Sequence, residues 1–225
     1  PDPTYERAST TLSLANIRVQ FSLKENIQIS QYTLEVLEKF DTDMAVEDKT
    51  VNTGFKPEGN LFIVDTASET TAKAALALQK DLGGQVAWWS PEEIQTRYPM
   101  FEPEGSAGGT FGSRDGHLDA FAFLNGYRIK AASMGAHFIK DEVMAVLTEK
   151  NCTAGVRLAS GTDLRSGKVV NCAGAWAGKL AETAGVHLPV EPVKRQVFVF
   201  DPAEKQARPM PLTVLPSGLY FRSET

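Results

Sequence analysis

The spacing of apolar residues changes along this chain, and the change divides the chain near residue 135. Before that point, apolar residues recur at helical spacing between short β-branched runs. Serine or aspartate just ahead of such a stretch marks a helix start, because the side-chain oxygen takes a free backbone N–H group. The predicted helices run from Ser22 to about Lys39, from Ser68 to Leu82, from Ser90 onward, and from Asp119 to about Met134.

Beyond residue 135 the pattern becomes one of short apolar runs between glycine turns, which is typical of strands. Because helices and strands mix without strict alternation, we expect a mixed α/β (α+β) fold rather than one doubly wound sheet. The predicted strands lie at Leu61–Val64, 108–112, His137–Lys140, Met144–Glu149, Thr153–Leu158, Lys168–Asn171, Val197–Phe200, Leu212–Leu215 and Leu219–Arg222, with a short helix at about Ala177–Ala184.

Composition narrows the class of protein. The chain has 225 residues, 42% of them hydrophobic and 23% charged, as in an ordinary soluble globular protein with a sizeable core. A net charge of -5 without a basic cluster argues against nucleic acid as a partner, and no apolar run is long enough to span a membrane.

The cysteines and histidines predict no metal site. Cys152 and Cys172 form no CxxC pair, and His117, His137 and His187 stand alone without ligand spacing. Such sparse cysteine usage favours a reducing compartment, so we expect a cytoplasmic location, free or at a membrane surface.

The segment Val169–Trp176 is the one most suggestive of chemistry. It has the form of a buried strand that runs into a turn of small residues before a helix. Small residues let the backbone approach a ligand closely, and open α/β sheets bind ligands just beyond their strands. From the pattern alone, a plain strand–turn–helix with a packing glycine is the preferred interpretation.

Three segments together resemble the flavoenzyme superfamily of glycine oxidase, sarcosine oxidase and D-amino-acid dehydrogenase (the DAO superfamily). Val169–Trp176 resembles its strand and AAGAW turn, and Leu188–Val197 resembles the segment that enters its substrate-domain sheet. Ala8–Thr11 with Asn16–Phe21 is similar to its loop along the pyrophosphate and flavin. The order and spacing of these segments match along nearly the whole chain.

The resemblance implies a divided architecture. Parts of a Rossmann-like FAD-binding domain (about 1–50 and 117–187) would be interleaved with a substrate domain on a mostly antiparallel sheet (about 51–116 and 188–225). Family members also carry a GxGxxG unit and a C-terminal segment that this sequence lacks. We therefore expect an internal fragment, which alone binds FAD weakly or not at all and is inactive.

The resemblance also implies cofactor contacts. The alternative interpretations are that the hydroxyls of Ser9, Thr10 and Thr11 make turn hydrogen bonds, that Val143 is a core residue, and that Trp176 packs the turn. No histidine or cysteine matches a covalent attachment point, so FAD is expected to bind non-covalently. The cofactor-binding candidates are Ser9, Thr10 and Thr11 for the phosphates and ring, Val143 for the adenine, and Ala173, Gly174 and Trp176 for the flavin side.

Arg18 is the candidate for gripping a substrate carboxylate, because the family places an arginine there and a guanidinium suits that anion bidentately. Tyr220 and Arg222 would lie on one face of a strand that lines the substrate cavity in relatives. The alternatives are a surface arginine ahead of a helix and an ordinary hairpin face.

The implied activity is FAD-dependent oxidation of a small amine or amino acid of the sarcosine, glycine or D-amino-acid type by hydride transfer to flavin. Oxygen, a quinone or a carrier protein would accept the electrons, and no catalytic residue is identified. One alternative is a flavin-dependent dehydrogenase of a hydroxy acid or glycerol phosphate. Another is a non-catalytic assembly or interaction protein with the flavoprotein fold.

Overall fold

The computed structural model describes residues 4–6, 8–102, 104–204 and 208–224. The chain divides into two compact units, which we describe separately. The larger unit comprises residues 10–136 and 204–225, and the smaller unit comprises residues 1–9 and 137–203. The predicted division into a cofactor domain and a substrate domain follows other boundaries and stays a prediction.

Helices and strands are mixed, which confirms the predicted fold class. The helices are α1 (Lys24–Glu38), α2 (Phe40–Asp43), α3 (Glu69–Asp81), α4 (Pro91–Arg97), α5 (Ala120–Ser133) and α6 (Ala177–Glu182). The strands are β1 (Asn16–Ile17), β2 (Asn60–Asp65), β3 (Val86–Trp89), β4 (Ser106–Gly112), β5 (Gly116–His117), β6 (Val143–Glu149), β7 (Cys152–Leu158), β8 (Asp163–Arg165), β9 (Leu212–Val214) and β10 (Tyr220–Phe221). None of the helices in the described ranges is long and apolar enough to cross a membrane.

A five-stranded sheet in the order β10-β9-β2-β4-β3 organises the larger unit. Its neighbouring strands are antiparallel except for β2 and β9, which run parallel, so the sheet is mostly antiparallel as predicted. The short strands β1 and β5 form a separate antiparallel pair in which Asn16 lies opposite His117.

Helices cover the five-stranded sheet on both faces. On one face, which we call the α1/α3 face, Val86 of β3 packs with Leu34 of α1 and Leu76 of α3. On the other, the α4 face, Leu61 and Ile63 of β2 and Trp89 pack against Ile94 of α4. Adjacent residues of a strand point to opposite faces, so each apolar run of this sheet fills two separate cores.

Helix starts that depend on local side chains follow the sequence in two cases. The helix start at Ser90 is a capping box. Ser90 Oγ accepts from Glu93 N at 3.2 Å, and the Glu93 carboxylate accepts from Ser90 N at 2.9 Å. Asp119 caps α5 by accepting from Ala122 N at 2.9 Å.

The other two predicted caps are wrong. The first turn of α1 closes on the Leu23 carbonyl, so Ser22 stands one residue outside the helix and makes no cap. Ser68 is the residue before α3, but its hydroxyl caps nothing there. Asp65 acts instead, accepting from Ser68 N at 2.8 Å to close the turn that precedes α3.

The smaller unit is built on an antiparallel sheet in the order β6-β7-β8. Helix α6 contacts β6. Thr183, just after α6, joins the two, since its hydroxyl accepts from Val146 N at 2.9 Å.

Three predicted strands are wrong, because 137–140, 168–171 and 197–200 run without regular structure. A strand needs a neighbour to satisfy its N–H and C=O groups, and among the described residues none lies beside these segments. Their apolar side chains are accordingly open to solvent, with Val170 84% and Val199 90% exposed. Strands β1, β3, β5 and β8 were not predicted, and they exist because partners are present.

A buried carboxylate fastens the segment after β1 to the larger sheet. Asp115, between β4 and β5, is fully buried and accepts from Val19 N at 2.9 Å and from Gln20 Nε2 at 3.0 Å. The same Gln20 amide donates to the Asn60 carbonyl of β2 at 2.9 Å. A β-carbon at position 112 would collide with the Asp115 carboxylate, so only glycine leaves room for it.

Burial raises the pKa of Asp115 from 3.8 to about 6. The hydrogen bonds from Gln20 and Val19 and the nearby charge of Arg18 act in the opposite direction and limit the rise. The carboxylate therefore titrates close to neutral pH instead of in the acid range.

Ser90→Ala should lower the free energy of unfolding by about 1 kcal/mol, because the Glu93 N–H in the first turn of α4 loses the side-chain oxygen to which it donates. Ser68→Ala is the matched control, since the Ser68 hydroxyl caps no helix, and it should cost less than about 0.5 kcal/mol. Urea unfolding of the purified variants measures both, and equal effects would contradict the assignment of the caps.

Asp115 should make stability fall as pH rises. Its folded-state pKa of about 6 exceeds the ordinary 3.8, so between these values the folded protein holds a proton that the unfolded chain has lost. The free energy of unfolding therefore decreases through this window, by up to about 3 kcal/mol, and stays low above it.

Asp115→Asn should remove that dependence, so that its unfolding free energy relative to wild type increases from pH 4 to pH 7. Asp65→Asn is the control, because the Ser68 hydrogen bonds lower the Asp65 pKa below its ordinary 3.8, so that its difference from wild type should stay nearly constant from pH 4 to pH 7. Thermal unfolding over this pH range measures both, and a constant difference between Asp115→Asn and wild type would contradict the raised pKa.

Candidate functional site

Arg18 lies directly after β1, with its guanidinium between two aromatic rings. The guanidinium carbon is 4.4 Å from the centre of the Phe21 ring and 5.1 Å from that of Phe62. Burial lowers the Arg18 pKa, and the charge of Asp115 acts the other way, but an arginine so placed remains protonated at neutral pH. Within the described ranges, its side chain has neither an ion pair nor a hydrogen bond. Its charge is therefore held in place by apolar faces and not neutralised.

The register of the sheet places Tyr220 on the same face as Arg18. Phe62 lies opposite Val214, and Val214 lies opposite Tyr220. Residues opposite each other point to one face, and Phe62 shares that face with Trp88, which packs against the α1/α3 core. Arg18, Phe62 and Tyr220 therefore all lie on the α1/α3 face, and Tyr220 is 42% exposed there.

Arg222 lies two residues beyond Tyr220 and is already paired. Its side chain is only 9% exposed, and its Nη2 is 3.0 Å from the Glu224 carboxylate. The Nε of the same guanidinium is buried without a hydrogen-bond acceptor among the described residues. Arg222 thus has an acidic partner in direct contact, whereas Arg18 has none within the part of the chain that the structure describes.

His117 is buried near Arg222, and both burial and that charge lower its pKa, with burial as the larger cause. The Glu58 carboxylate, 3.8 Å from Nδ1, opposes this shift. No spacing or flanking residue in the sequence distinguishes this histidine from His137 and His187.

The loop that precedes β1 carries the first group of cofactor candidates. Ser9 belongs to the smaller unit, and Thr10 and Thr11 belong to the larger one. The hydroxyl of Thr11 and the side-chain oxygen of Asn16 are buried, and neither has a hydrogen-bond partner among the described residues. Buried polar atoms without partners are costly, so this loop fits a polar group such as the phosphates and hydroxyls of FAD.

The second group of cofactor candidates lies in the smaller unit. Ala173, Gly174 and Trp176 form the turn ahead of α6, and Val143 is the first residue of β6. Gly174 has a φ of +54° with open space beside it, and Trp176 is 66% exposed. The turn thus presents a bare backbone and an open aromatic ring, although the strand predicted before it is absent.

Asn171 gives this turn its shape. Its side-chain oxygen accepts from Ala173 N at 3.2 Å, and its amide donates to the Ala177 carbonyl at 2.9 Å. The side chain thereby joins both ends of the turn. An asparagine just before small residues is a signal for such a turn, and it could have been recognised in the sequence.

Sequence reasoning missed the surroundings of Arg18. Phe62 lies within the predicted strand Leu61–Val64, but no pattern in the sequence connects Phe62 or Asp115 with Arg18. In the described residues, no group of three or more His, Cys, Asp or Glu side chains is placed to hold a metal ion.

Comparisons with known proteins identify the family. The sequence model of the FAD dependent oxidoreductase family, DAO, matches residues 3–225. The bovine protein named FAD-dependent oxidoreductase domain-containing protein 1 is 33% identical over 257 residues, which cover 99% of this chain and 52% of that protein. Glycine oxidase of Pseudomonas putida is 42% identical over 79 residues, which cover 35% of this chain and 20% of that enzyme.

Solved structures show the same fold. L-proline dehydrogenase from P. horikoshii aligns with a TM-score of 0.76 at 22% identity, covering 96% of this chain and 57% of that one. L-amino acid deaminase from Proteus myxofaciens, in complex with anthranilate, aligns with a TM-score of 0.70 at 15% identity, covering 95% and 47%. The chain spans about half the length of the curated relatives that match all of it. It belongs to the DAO family of FAD-dependent oxidoreductases.

Proposed function

We propose that this protein oxidises a small amine or amino acid whose carboxylate is held by Arg18, with FAD as the oxidant. The observation that carries the proposal is the environment of Arg18. The side chain is half-buried and charged, and it has no acidic partner among the described residues. Such a charge is stabilised most effectively by an anion that arrives from outside.

A carboxylate suits the geometry better than a spherical anion. The rings of Phe21 and Phe62 contact the guanidinium by cation–π interaction, which leaves its edge to donate two parallel N–H bonds. These bonds match the two oxygens of a carboxylate, and partial burial strengthens them relative to water.

The remaining candidates would act around that anchor. Tyr220 would orient the amine through its phenol, since it shares the α1/α3 face with Arg18. Arg222 would serve as a second anion contact, although its pairing with Glu224 makes it the weaker one. Both roles are proposals that follow from the resemblance and from the shared face.

FAD, when bound, supplies the oxidising power by accepting a hydride from the carbon that bears the amine. In the larger unit, Thr10, Thr11 and Asn16 would hold it through hydroxyl, amide and backbone groups. Ser9, Val143, Ala173, Gly174 and Trp176 stay predicted contacts in the smaller unit.

The chain's own part in the reaction is to bind and to orient. An amine that binds in its neutral form needs no general base, and the imine product then hydrolyses in water. The similarity to glycine oxidase favours an amine over a hydroxy acid. Oxygen, a quinone and a carrier protein remain equivalent proposals for the electron acceptor.

A substrate panel tests this proposal on the full-length protein loaded with FAD. With an artificial electron acceptor, we expect turnover of at least one of sarcosine, glycine, proline and D-amino acids. Turnover of only 2-hydroxy acids or glycerol phosphate would instead support a dehydrogenase of those compounds. A full-length protein that takes up no flavin and oxidises nothing would support a non-catalytic role.

Arg18→Met should raise the KM for the carboxylate substrate about 100-fold, because two charge-assisted hydrogen bonds worth about 3 kcal/mol together are lost. Arg18→Lys should raise it about tenfold, since lysine keeps the charge without the fork. Steady-state kinetics with the best substrate of the panel measure both changes.

Arg97→Met is the matched control for these variants. Arg97 also stacks on an aromatic ring, with its guanidinium carbon 4.4 Å from the centre of Trp89, but Trp89 belongs to the α4 face. Its KM should equal that of wild type. Equal KM values for Arg18→Met and Arg97→Met would contradict the role of Arg18.

A further inference from the structure

Asp115 acts on Arg18 without an ion pair between the two. The negative charge of Asp115 acts to raise the pKa of Arg18, but its two oxygens accept hydrogen bonds from Val19 N and from the side-chain amide of Gln20. These donors belong to the two residues that follow Arg18 in the chain. The carboxylate therefore holds the backbone that carries Arg18, and the guanidinium itself has no ion pair or hydrogen bond to any described residue.

We propose that Asp115 is a positioning residue for Arg18, holding it on the α1/α3 face with its donors free and opposing, by its own charge, the anion that Arg18 binds. This inference rests on the proposed function, since it requires that Arg18 bind an anion. Asp115 lies outside the segments on which the family resemblance rests, so the sequence comparison does not indicate this role.

The positioning role follows from the hydrogen bonds that fix the backbone next to Arg18. The Val19 N–H and the Gln20 side chain are both fixed by Asp115, and Gln20 is fixed again by the Asn60 carbonyl of β2. Val19 and Gln20 are both buried. The Arg18 side chain therefore departs from a rigid backbone, and Phe21 and Phe62 fix its direction.

The charge part follows from what surrounds the carboxylate. Among the described residues, Arg18 is the charged side chain that acts on Asp115. Strand β2 contributes the neutral amide of Asn60, the segment after β1 contributes the neutral amide of Gln20, and β4 contributes Gly112, which has no side chain. Asp115 and a bound carboxylate would thus be two negative charges that share one arginine.

Two like charges that share a site raise each other's pKa. With Asp115 titrating at about 6, a ligand below that pH meets Arg18 beside a neutral acid, and above it meets Arg18 beside an anion. Anion affinity is therefore expected to fall as pH rises through this value, and binding above it takes up a proton.

The test uses acetate and the full-length protein loaded with FAD, from pH 5 to pH 8. Binding is followed by the change in flavin absorbance, which requires no turnover, and concentrations are expressed as acetate ion. For wild type we expect the dissociation constant to rise about five- to tenfold over this range. Asp65→Asn, which alters an exposed acid of the same unit, should keep that profile.

Two variants separate charge from position. Asp115→Asn keeps an oxygen for Val19 N but removes the charge, so its dissociation constant should be independent of pH and close to the wild-type value at pH 5. Asp115→Ala removes the oxygen as well, so it should bind acetate at least tenfold more weakly than Asp115→Asn at every pH. If the alanine variant does not fold, the pH dependence of the Asp115→Asn dissociation constant tests the inference on its own, and a wild-type profile in that variant contradicts it.

The outcomes distinguish this inference from the proposed function. A pH dependence that survives in Asp115→Asn belongs to another group, such as His117, and overturns the inference alone. Asp115→Ala with the affinity of Asp115→Asn overturns the positioning role. A wild-type protein that binds no acetate and oxidises no amino acid overturns the proposed function, and the inference with it.

Discussion

The hydrogen bonds accepted by the Asp115 carboxylate are the constraint on which the larger unit depends. One oxygen takes the Val19 N–H and the other takes the Gln20 amide, which also reaches the Asn60 carbonyl. Three stretches of chain that are far apart in sequence are thereby joined at one buried point. A buried carboxylate is costly unless its lone pairs are occupied, so this junction exists only when all three stretches are in place.

The electrostatics of the site follow from that junction. Burial lowers the pKa of Arg18. Its positive charge is stabilised by the rings of Phe21 and Phe62 and by the nearby Asp115 carboxylate, with which it forms no ion pair. Arg222, by contrast, is stabilised by a direct ion pair with Glu224. This difference is the reason that we propose Arg18 as the main anion contact and Arg222 as the weaker one.

Much of the local structure could be predicted from the sequence, since its causes are local. The caps at Ser90 and Asp119 follow from side chains within three residues of the helix start. Strands depend on partners, and the runs at 168–171 and 197–200 have the composition of strands but pair with no other strand among the described residues. The family came from motif resemblance and is confirmed, whereas the partners of Arg18 could not be found in this way. Asp115 lies 96 positions from Val19, and no periodicity connects them.

The exposed run Val197–Phe200 has a consequence for handling the protein. Its four side chains are between 50% and 90% exposed, it contains two phenylalanines and two valines, and it carries no charge or proline. Exposed segments of this composition form intermolecular β-sheets, so this run makes the chain prone to aggregate. A charged residue introduced at Val199, the most exposed position of the run, would act as a gatekeeper against such assembly.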